Sequence, residues 1–278
     1  MAGAGLLEIK RRIKSIKNTR KITKAMGLVA TSKLRKARQK LTENNQYFSS
    51  LDEIARELIG SLNSNNNPLL KPNDNPKKLI ILLASDSGLC GGFNGNTAAF
   101  VRDNYENNLE NIEAVVVGKK GIHYVKKNKI STLAEYVDLG DTPNVGDAST
   151  IVNKAVKEFT DGNFGEVSLV YTKFFSPVKQ EVVEEKLLPL DLTGEKGKVS
   201  FLIEPDEDEM IDSLVSSYLK GMFNSKASEQ SARMQAMDGA TKNADDLLNS
   251  LDAKYNRIRQ SIITQEISEI VGGAEAQK

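Results

Sequence analysis

The stretch MQAMDGATKNADDLLNSLDAKYNRIRQSI, residues 234–262, decides the fold. Apolar or small residues recur in it at seven-residue spacing along two tracks: Met234, Thr241, Leu248, Tyr255 and Ile262 on one, Met237, Ala244, Leu251 and Ile258 on the other. An a/d seam kept over about four heptads predicts a coiled coil, because an isolated globular helix rarely sustains so strict a period. The helix carrying it is predicted to start at Asp206, an N-cap residue just after Pro205, with Glu207, Asp208 and Glu209 where the helix dipole favours negative charge. Gly272 and Gly273 mark its end. About 65 residues at 1.5 Å each give a rod on the order of 100 Å, interrupted at most at Gly221 or Gly239.

Such a seam needs a partner, and the other end of the chain offers one. All seven prolines lie between residues 68 and 205, so both ends are free of the strongest helix breaker. Leu6, Ile9, Ile13 and Ile16 start an a/d seam, and Leu34, Ala37 and Leu41 resume it in the same register. Between them the register falls on Arg20, Thr23, Gly27 and Ala30, while Ile22, Met26 and Val29 sit one position off it. The seam is expected to be interrupted there, or its apolar face to rotate. Two long helices from opposite ends of one chain satisfy each other's seams by pairing antiparallel.

Asn63 to Pro76, with six Asn and three Pro in fourteen residues, has linker composition. Beyond it the pattern changes. Leu79–Ala84, Ile112–Val117 and Val167–Thr172 are short apolar runs with the signature of buried strands. Ala98–Tyr105, Lys119–Lys127 and Ala148–Phe159 suit crossover helices, the last with Asp147 as a candidate N-cap. Gln180–Leu188 and Val199–Ile203 read as extra strands. The fold class is therefore α/β: a long antiparallel coiled coil of N- and C-terminal helices plus a Rossmann-like α/β domain. The chain divides into a coiled-coil helix (1–62), a linker (63–76), the α/β domain (77–205) and a second coiled-coil helix (206–278).

Composition narrows the chemistry. The longest apolar run is six residues, far short of the ~20 a membrane helix needs. One Cys and one His supply neither an internal disulfide nor a Cys- or His-based metal site. The net charge of +1 hides an asymmetry: residues 1–40 hold 13 Lys or Arg against Glu8 alone, a sum of +12 that leaves −11 for the rest. Lys outnumbers Arg eight to five there and the periodicity continues past residue 40, which reads against an organellar transit segment. Charges at Glu8, Lys10, Arg11 and Arg12 break up any secretory h-region. The basic run lacks an aromatic residue before Tyr47, which reads against nucleic-acid stacking and for a solvated helix face or an acidic protein partner.

SDSGLCGGFNGN, residues 85–96, follows a strand and precedes a helix, where a phosphate loop would sit. Its glycines at 88, 91, 92 and 95 fit neither GxGxxG nor GxxxxGK[ST], so a tight structural or partner-contacting turn is expected, with Cys90 as a packed thiol. His123 reads as a surface helix residue, and no carboxylates stand at acid/base spacing. The chain is not expected to be an enzyme on its own, nor to need a cofactor or metal.

Four segments, IKNTRKITKAMGLVATSKLRKA (16–37), SDSGLCGGFN (85–94), SEQSARMQAMDGATKNA (228–244) and ITQEISEIVGGAEA (263–276), resemble in order the gamma subunit of F-type ATP synthases. The resemblance implies a rotor shaft seated among alpha and beta subunits, with the α/β domain as its foot near the epsilon subunit and the membrane c-ring. It implies no small-molecule substrate and no nucleic acid. Arg20, Lys24, Met26 and Lys33 match the segment facing the beta lever; Arg259, Gln260, Thr264, Glu266 and Glu269 match the segment meeting the catch loops and bearing. Phe201 and Glu204 resemble foot positions near the ring or epsilon. Ser87 stands where many relatives have Arg, and with Cys90 alone the redox control of the chloroplast variant is not implied. A bacterial chain is expected, peripheral on the cytoplasmic side of the cell membrane. The alternative reading is a basic coiled-coil nucleic-acid-binding or scaffolding protein.

Overall fold

Ten principal elements make up the described residues of the computed structural model, which are 2–61, 68–140, 142–190 and 207–275, with side chains described for 5–44, 68–140, 142–190 and 210–274. They are α1 (Ala2–Ser61), β1 (Lys78–Leu83), α2 (Phe93–Asn104), β2 (Ile112–Val117), α3 (Lys119–Lys127), β3 (Ser131–Tyr136), α4 (Val145–Thr160), β4 (Glu166–Ser176), β5 (Lys179–Leu188) and α5 (Glu207–Glu275). They form two compact units, one drawn from residues 1–30 and 234–278, the other from 31–233.

The first unit is the antiparallel coiled coil. Thr23 Oγ1 lies 2.8 Å from Thr241 Oγ1, Arg20 pairs with Asp245, and a Cβ on Gly27 would stand 3.5 Å from Met237 Cβ. The residue numbers of each pair add to 264 or 265, so one strand of the seam rises as the other falls. Met237, Ala244 and Leu248 are buried, and Thr241, Leu251, Tyr255, Ile258 and Ile262 are half-buried, as the heptads require. On α1 the register runs on without a break through the stretch where interruption or rotation was expected. Thr23 and Ala30 are buried on it, whereas Ile22 and Val29 are 60% and 56% exposed. The physical reason is matching rather than hydrophobicity. Gly27 faces Met237, whose Cβ a side chain at 27 would just touch, and the two threonine hydroxyls bond each other. From Ile263 to Ala274 every side chain is exposed.

The second unit is built on a five-stranded sheet of order β3-β2-β1-β4-β5, parallel except for β5. β3 is a strand that the sequence reading did not recover. β-branched, buried runs make β1, β2 and β4 central, and side chains alternate between two covered faces. Ile80, Leu82, Ala114, Val116 and Val170 face α2 and α3 through Ala98, Val101 and Val125. On the other face, a Cβ on Gly221 of α5 would lie 2.6 Å from Leu169, 3.4 Å from Tyr171 and 3.5 Å from Leu83. The α5 segment 210–233 therefore lies directly on the sheet, with Met210, Leu214, Tyr218, Met222 and Phe223 buried.

Several local readings are corrected. α4 is capped by Asn144, not Asp147: Asn144 Oδ1 accepts the Asp147 N–H at 2.9 Å, and its Nδ2 donates to the Asp147 carboxylate. α2 begins five residues before Ala98, and Thr97 bonds back to the Phe93 carbonyl at 2.9 Å. The expected strand Val199–Ile203 falls outside the described residues. Two asparagines of the linker, Asn73 and Asn75, act as staples. Asn73 Nδ2 donates to Phe164 O at 2.8 Å, and Asn75 Nδ2 to Gly162 O and Asn163 O at 2.8 and 3.0 Å. Gly165 is obligatory beside them, since a Cβ there would sit 2.0 Å from Asn75 O.

At the start of β1 a half-buried charge cluster joins β1, β4 and β5 to Tyr105 at the end of α2. Lys78 Nζ lies 2.6 Å from both Glu166 Oε1 and Glu184 Oε1 and also bonds Tyr105, whose hydroxyl reaches Glu184 at 2.8 Å. Burial disfavours the ammonium ion, yet bonds to Glu166 and Glu184 outweigh it and raise the Lys78 pKa. Burial likewise opposes ionisation of Glu184, and bonds from Lys78 and Tyr105 prevail, holding its carboxyl below the ordinary value.

Candidate functional site

The coiled coil leaves on its outside what its seam does not use. Ile22 and Val29 are seven residues apart on α1 and share one stripe, with Met26 between them. Leu28, 65% exposed, stands beside them, and Lys21 and Lys24 are exposed on the same stretch. On α5, Ile263, Ile267 and Ile270 repeat at i, i+4 and i+7 and are 45%, 56% and 72% exposed, with Val271 at 56%. A helix that spends isoleucines on solvent at helical spacing carries a face suited to another protein surface.

The residues singled out from sequence distribute unevenly over this surface. Lys24 is exposed and Met26 is half-buried, between the outward stripe and the seam. Arg20 is half-buried and committed to Asp245 inside the coil. Lys33 is exposed but belongs to the second unit. Arg259, Gln260, Thr264, Glu266 and Glu269 are exposed on α5; Thr264 donates to the Gln260 carbonyl at 2.9 Å, and Glu269 accepts from Gln265 at 2.9 Å. Phe201 and Glu204 lie outside the described residues. The exposed Ile263, Ile267, Ile270 and Leu28 are not among the residues singled out from sequence. The available signal was apolar residues at helical spacing off the seam register.

In the second unit, the loop after β1 spends its polar groups on itself. Ser85 donates its N–H to Asn94 Oδ1 at 2.9 Å, and Asn94 Nδ2 donates to Ser85 Oγ at 2.8 Å and Cys90 Sγ at 3.2 Å. Ser85, Cys90 and Asn94 are all buried, so Cys90 is the packed thiol expected of it. Arg233 of α5 closes the loop from the other side, donating to Ser87 Oγ at 2.8 Å, Ser87 O at 3.2 Å and Gly88 O at 3.3 Å, while Glu229 holds its third nitrogen at 2.8 Å. Both partners of this ion pair are under a tenth exposed. Asp86 Oδ1 accepts the N–H groups of Lys119 and Asp138 at 2.9 and 3.2 Å, fastening the loop to α3. This is a tight structural turn. His123 is exposed on α3 as read. Among the described residues no helix is long and apolar enough to cross a membrane.

A sequence profile of the family described as ATP synthase matches residues 5–277. The ATP synthase gamma chain of Clostridium perfringens (strain SM101 / Type A) is 98% identical over 283 aligned positions, with both chains covered in full. That of Clostridium novyi (strain NT) is 51% identical, again over the whole of both chains. Two solved structures share the fold. A chain from the Euglena gracilis mitochondrial ATP synthase (OSCP/F1/c-ring) aligns over 99% of this chain and 95% of its own, with TM-score 0.78 and 18% identity. One from the central stalk and c-ring of the Tetrahymena thermophila enzyme covers 79% and 99%, with TM-score 0.64 and 24% identity. The comparisons lend no support to the nucleic-acid or scaffolding alternative. By its profile match and its full-length relatives, this chain belongs to the family of ATP synthase gamma chains.

Proposed function

We propose that this gamma chain works as the rotor shaft that couples ion flow through the membrane c-ring to ATP synthesis and hydrolysis at alpha/beta catalytic sites. In this reading residues 1–62 and 206–278 form the shaft, 77–205 the foot beside epsilon and the ring, and 63–76 the linker. The chain carries no chemistry of its own. It biases which conformation each catalytic subunit populates as it turns. The complex sits on the cytoplasmic side of a bacterial membrane.

The observation that carries this reading is the continuous antiparallel seam with apolar and basic residues left outside it. A seam in unbroken register stiffens the pair. The outward stripe of Ile22, Met26 and Val29 with Lys24, and the α5 face of Ile263, Ile267 and Ile270, supply surfaces that slide or push against surrounding subunits. At an effective dielectric near 20 a close ion pair to an acidic lever is worth up to ~4 kcal/mol before desolvation and entropy are subtracted. Purified chain mixed with alpha and beta is expected to restore ATPase activity; failure of that reconstitution would be fatal to the proposal. Met26→Lys is expected to uncouple ATP turnover from ion pumping, and unchanged ATP-driven pumping would remove Met26 from the contact surface.

A further inference from the structure

The turn joining β4 to β5, Ser176-Pro177-Val178-Lys179, stands where hairpins ordinarily place glycine and polar residues. Here Val178 is 87% exposed, more than any other large apolar side chain among the described residues, and Phe175 beside it is 49% exposed.

This tip is held from below. The Pro177 carbonyl accepts from the Ser231 hydroxyl and from Gln180 Nε2, both at 2.8 Å, and Gln180 Nε2 also reaches Ser176 O and Ser231 Oγ at 3.1 Å. Phe174 N–H donates to Asn224 Oδ1 at 3.3 Å, and Lys179 N–H to Ser176 Oγ at 3.1 Å. Ser231 and Asn224 are buried side chains of α5. A tip fastened at so many points loses little freedom when something docks on it, which is the condition under which a small apolar contact produces affinity.

Its surroundings are cationic. Lys173 and Lys179 place their ammonium groups 5.6 and 5.2 Å from the Phe175 ring centre, and the Arg38 guanidinium lies 5.9 Å from that of Phe174. Arg38 belongs to residues 33–40, KLRKARQK, which hold five cations and no acid. Against these stands Glu181, 3.1 Å from Lys179 and paired in register with Lys173.

We propose that the β4–β5 tip is a docking knob that seats Val178 and Phe175 in an apolar pocket on another protein chain, a pocket rimmed by carboxylates that pair with Lys173 and Lys179. Apolar anchors ringed by complementary charge are the usual anatomy of an interface hot spot. A nucleic acid suits the tip less well, since the ammonium groups over Phe175 take the place a stacked base needs. A bilayer suits it less well too, because two apolar side chains bury too little area to hold a membrane surface.

The test uses the assembled complex from native membranes, with benzoylphenylalanine replacing Val178 and the photoproduct mapped by peptide mass. Co-purifying subunits are read from the same sample, so failure to assemble is seen separately from failure to dock. The expected result is one dominant cross-link, to an apolar peptide with adjacent Asp or Glu on another subunit. Adding Lys173→Glu and Lys179→Glu together with Glu181→Lys, which keeps opposite charges at the paired positions, should lower its yield about tenfold, the scale of losing one or two interface charge pairs, with the urea midpoint of the purified chain unchanged. A cross-link confined to this chain, to lipid, or to a peptide without carboxylates would overturn the proposal. So would the absence of any cross-link, or a yield indifferent to the charge reversal.

Discussion

Helix α5 is one continuous element with two different ways of being held. Over 210–233 most residues are buried, polar ones included: Asn224, Ser225, Ser228, Glu229, Gln230, Ser231 and Arg233 are all under a tenth exposed. Over 237–262 the seam tracks are covered, with Gly239, Ala240 and Asp245 half-buried beside them, and the remaining faces are open. A helix buried over most of its surface on a sheet tolerates buried polar side chains only where partners are supplied, whereas a coiled coil leaves them in water. The same kind of interaction should therefore differ in weight between the two stretches, and four measurements put that difference under strain.

The largest contrast is between two ion pairs. Glu229→Ala leaves the Arg233 guanidinium buried without its carboxylate and is expected to cost about 3–5 kcal/mol. Asp245→Ala removes a partner from Arg20 in a pair whose side chains are 38% and 44% exposed, and should cost less than about 1 kcal/mol. Urea unfolding followed by tyrosine fluorescence suits the first variant, since six of the seven tyrosines belong to residues 31–233. Helical circular dichroism suits the second. Equal losses would erase the distinction between the two stretches.

Next come two glycines of the same helix. Gly221→Ala drives a methyl group against Leu169, which is fully buried and has nowhere to go, so a loss of about 1–3 kcal/mol is expected. Gly239→Ala meets nothing within 4 Å and should gain about 0.5–1 kcal/mol through helix propensity. Opposite signs in thermal melts are the prediction, and matching signs would contradict the packing described for the sheet-bound stretch.

The acid limb of stability tests the sheet more finely. The Glu184 pKa is lowered in the folded state, so its contribution is fully present above the ordinary value of 4.5 and is lost as pH falls through the depressed one. Glu184→Gln should flatten that part of the pH profile. Lys78, whose pKa is raised, contributes in full below its ordinary value of 10.5 and loses that contribution as pH rises through the folded value. A Glu184→Gln profile parallel to that of the unaltered chain between pH 3 and 6 would remove the cluster from the account.

The smallest effect concerns the linker staples. Asn75→Ala removes the amide that holds the turn before β4, at an exposed site, and about 1 kcal/mol is expected from the urea midpoint. No change would leave Asn75 as linker composition and nothing more.

These comparisons also explain what the sequence made legible. The seam at 234–262 could be read because heptad spacing is a local, periodic signal, and β1, β2 and β4 because fully buried parallel strands are continuous apolar runs. The α1 register between Arg20 and Ala30 was obscured because its quality lies in the partner: glycine opposite methionine and threonine opposite threonine match only once the opposing residues are known. Strand β3, STLAEY, is a half-exposed edge with mixed chemistry and gives no such run. The burial of the polar stretch of α5 was not legible because the groups that satisfy it, such as the Pro177, Ser87 and Gly88 carbonyls, are distant in sequence. The outward isoleucines at 263, 267 and 270 lie beyond the last heptad of the seam, where no periodic signal marks which face is covered.

The bonding of Asn94 has a consequence for how the molecule ages. Asn94 precedes Gly95, the dipeptide most prone in open chains to cyclise through the following nitrogen and lose ammonia. Here the amide is gripped by Ser85 and Cys90 within the first turn of α2, and helical backbone keeps the Gly95 nitrogen away from the attacking position. Chemical durability at this dipeptide is thus a by-product of folding, and deamidation there would serve as a clock for time spent unfolded.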